Sequence, residues 1–371
     1  MFAEVVANLS DERNVGKDYK YSLSDAHKSA LAVFYFQHPS LLNFQQEMKR
    51  KYKRSNLETL FGATNVPCTE QIKNIVDHVN PEGIEPVFDR LVKYADAAGI
   101  IQEYRVLDDG VLIPLDRVWY FSSDSIHCDH CLTVNKTSRS GKKTTQYYHE
   151  ITAAAIVKPG CNVVLPLMPE FIRNEDGHTK QDSERSAVKR WLNKRGEGVK
   201  WLKPTFLGDD FYACYPVCRK ILDGGMHFLF TCKPDSHPWI MDQVEGADMV
   251  KYTYRERQGR NHLEYRYQWL NNVELRADGE NLLVNYINLE IWNKEKGETA
   301  YRNSWITNKQ VEQSNIRLLV DCARARWKIE NENNNVLKNR GYNLEHNFGH
   351  GKDHAAEIFC LMNLLGFLLH S

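Results

Sequence analysis

The sequence predicts a mixed α/β protein, and three observations predict it. The first hundred residues carry apolar positions at helical spacing between capping and stop residues. From Val106 onward, short apolar runs read as strands and then alternate with helical patterns. Between about 250 and 308, aromatic and polar residues alternate across turns that each contain glycine. Strands alternating with helices build a sheet covered by helices, and alternating runs joined by such turns build antiparallel hairpins. A chain of 371 residues can bury more than one core. The expected division is therefore a helical unit over 1–105, a sheet-and-helix core over 106–245 and 309–371, and a β-rich block over 246–308.

In the first unit, SLSDAHKSALAVFYFQ opens on cap-type residues. PCTEQIKNIVDHV and PEGIEPVFDRLVKYADAAG follow, with Pro, Thr and Glu at helix starts and Gly at a stop. Between the first and second of these segments, EMKRKYKR gathers Lys49, Arg50, Lys51, Lys53 and Arg54. Such a run is either a solvated helix face or a patch that grips phosphates. GVLIPLDRVWYFSS then reads as a strand, with HEITAAAIV and NVVLPLMPEFI as two more, divided by the turn KPGC. QDSERSAVKRWLNKRG reads as a helix, PTFLGDDFYA as a strand, CYPVCRKILDGG as a helix and MHFLFTCKP as a strand. The β-rich block supplies VKYTYRERQ, HLEYRYQWLNNVEL, LLVNYINLEIWN and TAYRNSWITN, separated by RQGRN, ADGEN and KEKGE. Helix returns at KQVEQSNIRLLVDCARARWKIENENNNVLKN and again near residue 371.

Composition limits the partners. Lys plus Arg and Asp plus Glu balance at 48 each, so any grip on a polyanion must come from local patches rather than net charge. The nine cysteines are scattered and no signal-type apolar run follows Met1, which points to a reducing cytoplasm. The longest apolar run, AAEIFCLMNLLGFLLH, is interrupted by Glu357 and Asn363. It falls short of the roughly 20 residues a bilayer demands, so a buried final helix is expected and no membrane partner.

Acidic side chains carry the candidate chemistry. Asp116 lies inside the apolar run VLIPLDRVWYF, where an ionised carboxylate is costly unless it meets a cation. Asp209 and Asp210 end FLGDDFYA, at the strand end where open sheets present functional groups. In a helix, residues advance about 100° each, so Arg326 and Glu330 share a face and Glu332 points nearly the opposite way. An Arg–Glu pair four residues apart is also an ordinary helix ion pair. It does not explain Asn333, Asn334 and Asn335, whose amides are weak helix formers but good partners for phosphates and base edges.

These stretches carry a likeness. LDRVWYFSSDSIHCDHCL, FLGDDFYACYPVC, CKPDSH, TNKQ and RARWKIENENNN with LKNRGYNLEHNFGHG resemble the DDE transposases of bacterial insertion sequences marked by a Tyr-Arg-Glu-Lys signature. The resemblance spans nearly the whole chain. It implies a ribonuclease-H-like mixed sheet flanked by helices, interrupted by a β-rich insertion before the last catalytic helix, and an N-terminal DNA-binding unit. It further implies a triad of Asp116, Asp209 and Glu330, with Arg326 as the signature Arg and Lys338 as its Lys. Asp210 and Glu332 stand as alternates. The implied activity is cut-and-paste DNA transposition. Two Mg2+ ions, replaceable by Mn2+, would serve phosphoryl transfer, and a homodimer would bring together terminal inverted repeats and join them to target DNA in a bacterial nucleoid. Trp305 in the insertion is then the residue for holding a flipped base, with Trp269 and Trp292 competing. The chain departs from the pattern at Ala323, where the signature Tyr would fall, at the Glu–Lys spacing, which is one residue longer, and at Arg117-Val118 after the first aspartate. Those departures sustain an alternative, a decayed or domesticated copy that binds DNA without cutting; a stand-alone metal-dependent nuclease is a third reading.

One further cluster stands apart. HCDHC supplies Cys128 and Cys131 between His127 and His130, and His149 or Cys161 could complete a structural Zn2+ site. With no second CxxC at ribbon spacing, zinc ranks below Mg2+. His346, His350 and His354 recur every four residues, but Gly349 and Gly351 break that helix, so a turn near the DNA backbone is expected. Glu170, Asp182 and Glu184 read as supporting or surface carboxylates. No phosphate-binding glycine loop or dinucleotide fingerprint is present, so no nucleotide cofactor is expected.

Overall fold

The computed structural model describes residues 2–11, 13, 20–63, 65–137, 141–173 and 183–371. The chain is mixed α/β, built on one large mixed sheet with helices on both faces. Its strands are β1 (Leu112–Ser123), β2 (Leu132–Thr137), β3 (Lys143–Ile156), β4 (Leu165–Pro166), β5 (Glu170–Ile172) and β6 (Thr205–Gly208). They continue as β7 (His227–Thr231), β8 (Val250–Gln258), β9 (Asn261–Glu274), β10 (Leu283–Asn293) and β11 (Glu298–Thr307). The order across the sheet is β2-β3-β1-β6-β7-β11-β10-β9-β8, with β4 and β5 also paired to β3. β1 runs antiparallel to β3, and β6 and β7 run parallel to β1.

Alternation along the strands sorts side chains into two cores. Leu112 and Val118 of β1, with Leu207 and Leu229, face the N-terminal helices, the helix Ile316–Arg324 and the final helix Ala355–His370. Ile113 and Leu115, with Phe206, Phe228 and Phe230, face the other side, where helices Glu184–Val199 and Tyr215–Asp223 bring Trp191 and Ile221.

The expected helices over the first hundred residues are present. Ser22 caps Leu23–Tyr35 by accepting from the Asp25 amide at 2.9 Å. This helix crosses Ala355–His370 closely at Gly366, where a Cβ would lie 3.1 Å from the backbone of Phe34. The helical segment thus shares one core with the end of the chain. The final helix is buried over most of its length, and Glu357 and Asn363, its polar interruptions, each find a partner. Arg173 binds Glu357 at 2.5 and 2.7 Å, and Asn363 donates to the Tyr342 carbonyl at 2.8 Å. Among the described residues no helix is long and apolar enough to cross a membrane.

Three segments differ from the sequence pattern. NVVLPLMPEFI is two short pieces, β4 and β5, because Pro166 and Pro169 each lack a ladder donor. The β-rich block continues the main sheet rather than forming its own: β11 pairs with β7, Trp305 opposite Thr231 and Thr307 opposite Leu229. The helix expected through Asn339 ends first at Arg324, turns at Ala325–Arg326, and resumes as a π-helix over Ile329–Asn334 before Asn335–Asn339. Asparagine side chains compete for backbone hydrogen bonds, and π-turns concentrate at functional sites.

Candidate functional site

The parallel pairing of β1 and β6 aligns Leu112 with Thr205 and Pro114 with Leu207. Two positions beyond that last pair each chain carries an aspartate, Asp116 on β1 and Asp209 just past β6. Period-2 alternation therefore turns both toward one face. The π-helix covers that face at Asp116: Asn334 Nδ2 donates to Asp116 Oδ2 at 2.8 Å. One turn earlier, Arg326 Nη1 donates to Glu330 Oε1 at 2.6 Å. A fourth carboxylate, Glu184, opens the helix Glu184–Val199 and accepts from the Tyr212 hydroxyl. Arg117 Nε lies 3.6 Å from Glu184 and 3.7 Å from Glu150, so it braces two acids.

The electrostatics follow from this crowding. Burial pushes the Asp116 carboxyl up to about 7, the negative charge of Glu330 adds to it, Arg326 opposes, and Glu184 adds further. Glu184 is raised too, by burial and by Asp209, against its hydrogen bond from Tyr212 and the nearby Arg117. Several acids pressing one another's protons on is the electrostatic pattern a cation relieves. The oxygens have not closed to ligand spacing, however. Among the described residues, no group of three His, Cys, Asp or Glu ligand atoms within 4.8 Å of one another includes Asp116, Asp209 or Glu330.

The alternates separate. Asp210 accepts from the Lys233 amide at 2.5 Å and lies 3.2 Å from His237 Nε2, away from Asp116. Glu330 is the carboxylate whose charge acts on Asp116, not Glu332. Lys338 is engaged by Glu345 at 2.6 Å. Asn333 and Asn334 are buried, so only the exposed Asn335 is available to a polynucleotide; Asn333 donates to Asn334, which in turn orients Asp116. Trp305 is 1% exposed, a core residue between β7 and β10, and cannot stack on a base. Trp269 is likewise buried, whereas Trp292 is half-buried beneath Arg266 at 5.2 Å. The basic run straddles the turn between helices Leu41–Glu47 and Lys51–Phe61. Lys49, Arg50, Lys51 and Arg54 are exposed and Lys53 half-buried, with Arg50 and Arg54 paired to Glu47 and Glu58. Lysines and arginine in a helix's first turn reinforce its positive end. Glu170 is buried in a network with Arg190, Lys194 and Arg195. Asp182 lies outside the described residues.

A second constellation is tighter. Cys128, Cys131, His149 and His350 bring one ligand atom each within 4.8 Å of the others and could hold a metal such as zinc. The sulfurs are 4.0 Å apart, and His149 Nε2 lies 3.6 Å from Cys128 Sγ and 3.4 Å from Cys131 Sγ. His350 Nε2 lies 3.3 Å from Cys131 Sγ and 3.0 Å from His149 Nε2. The sequence pattern gave three of these ligands and set His350 near DNA instead; it is 8% exposed and faces the cysteines. Cys161 is elsewhere, with its thiol toward the Val163 carbonyl at 3.6 Å. His354 belongs to Glu357 at 2.9 Å, and His346 packs edge-on against Phe348. The available signal was a histidine set between Gly349 and Gly351, two residues that free the backbone to turn it inward. No protein-family model matches this chain, and no curated protein matches it in sequence.

Proposed function

We propose that the protein is a DDE-type DNA transposase that cleaves and joins DNA ends by divalent-metal-dependent phosphoryl transfer. The observation that carries this reading is that Asp116, Asp209, Glu184 and Glu330, from β1, the end of β6, the N-terminus of a helix and the π-helix, lie near enough for Glu330 and Glu184 to act on the charge of Asp116 and Asp209 on that of Glu184. The sheet supports it as well, since three antiparallel strands, β1, β3 and β5, precede two parallel strands reached through helices, as a ribonuclease-H-like core requires.

The donor set suits a hard ion. Mg2+ takes carboxylate oxygens and keeps several waters, so Asp116, Asp209 and Glu330 are the residues to hold it, with Glu184 beside them. Bound there, such ions would activate the attacking oxygen and stabilise the departing one. The chain's own part is positioning. Asn334 fixes the rotamer of Asp116, Arg326 holds Glu330, and Tyr212 with Arg117 holds Glu184. Arg326 is half-buried and would have to release Glu330 to take a phosphate. The exposed Lys49–Arg54 turn offers a sequence-independent grip on the backbone of double-stranded DNA.

Purified protein and DNA from both flanks of the reading frame test the proposal. Strand cleavage is expected with Mg2+ or Mn2+, and Asp116→Asn or Glu330→Gln should reduce it by at least about a hundredfold while leaving DNA binding in place. Cleavage that survives either substitution defeats the assignment. The second reading, a copy that binds ends without cutting, is favoured by the lack, among the described residues, of any group of three ligand atoms within 4.8 Å of one another that includes these carboxylates. It predicts a gel shift with no cleavage in either metal.

A further inference from the structure

We propose that Cys128, Cys131, His149 and His350 bind one structural zinc ion, which fastens the segment between Asn339 and Ala355 onto the β1–β2 connection and β3. This inference is independent of the transposase reading.

Geometry is the first argument. Around a tetrahedral zinc with Zn–S about 2.3 Å and Zn–N about 2.0 Å, ligand atoms stand about 3.8 Å apart for S–S, about 3.5 Å for S–N and about 3.3 Å for N–N. Here the sulfurs are 4.0 Å apart, three of the four sulfur–nitrogen pairs 3.3–3.6 Å, and the nitrogens 3.0 Å, with all four atoms within 4.8 Å of one another. Two thiols and two imidazoles are a zinc set rather than a magnesium or calcium one. Four protein ligands leave no open position, which marks a structural rather than a catalytic site.

The surroundings orient the ligands. Both histidines present Nε2 to the centre, and His350 Nδ1 lies 3.1 Å from the Gly351 carbonyl, a hydrogen bond that puts the proton on Nδ1 and leaves Nε2 to ligate. The Cys128 amide donates to Cys131 Sγ at 3.4 Å, and the Cys131 amide to the Cys128 carbonyl at 3.2 Å, winding the CxxC into a knuckle. No disulfide joins the pair. Cys131, His149 and His350 are buried, and Phe121 and Tyr120 pack their rings against the two imidazoles. Burying two imidazole lone pairs 3.0 Å apart is unfavourable unless a cation or proton lies between them.

The site also has a mechanical consequence. Cys128 and Cys131 come from the β1–β2 connection, His149 from β3 and His350 from a stretch of turns preceding the last helix. Zinc would close a span of 219 residues between Cys131 and His350, and it would anchor a segment that is otherwise short of regular structure.

Protein prepared without a histidine tag tests this by elemental analysis. One zinc per chain is expected. Cobalt substitution should give the visible bands of a tetrahedral centre together with thiolate-to-cobalt charge transfer. Cys131→Ser and His350→Ala should each lose the metal, while Cys161→Ser keeps it. Because those variants can fail to fold, chelation of the unaltered protein is the second arm: removal should lower Tm by several degrees, and zinc, but not magnesium, should restore it. Substoichiometric zinc in freshly purified protein, a Tm indifferent to chelator, full zinc in His350→Ala, or a Cys128–Cys131 disulfide found by mass spectrometry would each overturn the proposal.

Discussion

At the scale of single residues, Asp116 governs how the candidate site responds to pH. Its carboxyl is raised from 3.8 to about 7 by burial and by Glu330. Between those values the folded chain keeps a proton the unfolded chain has lost, so stability falls as pH rises through the window. Without added divalent metal, the parent protein should lose about 1–3 kcal/mol from this source between pH 4 and 8, after allowance for partial solvent access. Asp116→Asn should flatten that decline in urea titrations and be the more stable protein at pH 8. An unchanged pH slope in the variant would count against the crowding described. The same proton must leave before the carboxylate can ligate, so metal-dependent cleavage should climb through pH 7. Asp116 was legible in the sequence because an acid within an apolar strand is conspicuous. Glu184 was legible only as a supporting or surface carboxylate, because one acid at a helix start looks like any favourable N-terminal charge. Only the fold reveals Tyr212 and Arg117 beside it.

At the scale of elements, helix and strand identities were mostly legible, since their periods are written locally. Pairings between distant strands were not. Trp305 shows the cost. NSWITN alternates like a strand in a solvated hairpin, yet the last four residues of β11 are all buried because β7 pairs along that end. Trp305→Ala is therefore expected to destabilise the fold by about 3–5 kcal/mol in chemical denaturation, leaving the DNA affinity of the folded fraction unchanged. A loss of affinity without loss of stability would restore the base-stacking role. The π-helix was equally invisible, since a regular helix and one with an inserted residue share the same composition. It brings Asn334 onto Asp116 while Glu330 keeps its ion pair with Arg326.

At the scale of the whole molecule, the beginning and end of the chain form one core, which no local pattern foretells. Asp77, closing the helix Thr69–Asp77, accepts backbone amides from Lys352, Asp353, His354 and Ala355 at 2.8–3.1 Å. It thereby supplies the cap that the final helix does not carry in its own sequence. Gly351, at φ +70, leaves room for it, since a Cβ there would sit 2.1 Å from Asp77 Oδ1. Asp77→Ala strands several of these donors and should cost about 2–4 kcal/mol, read from the urea midpoint. A shift below about 0.5 kcal/mol would show that water replaces the carboxylate at no cost. The cap and the crossing at Gly366 also have a temporal side. During translation the N-terminal helices leave the ribosome some three hundred residues ahead of the partner that covers them. Until it arrives, their apolar faces are open to chaperones or to other nascent chains. Slow release of the last segment should therefore govern soluble yield more than any property of the helices that appear first.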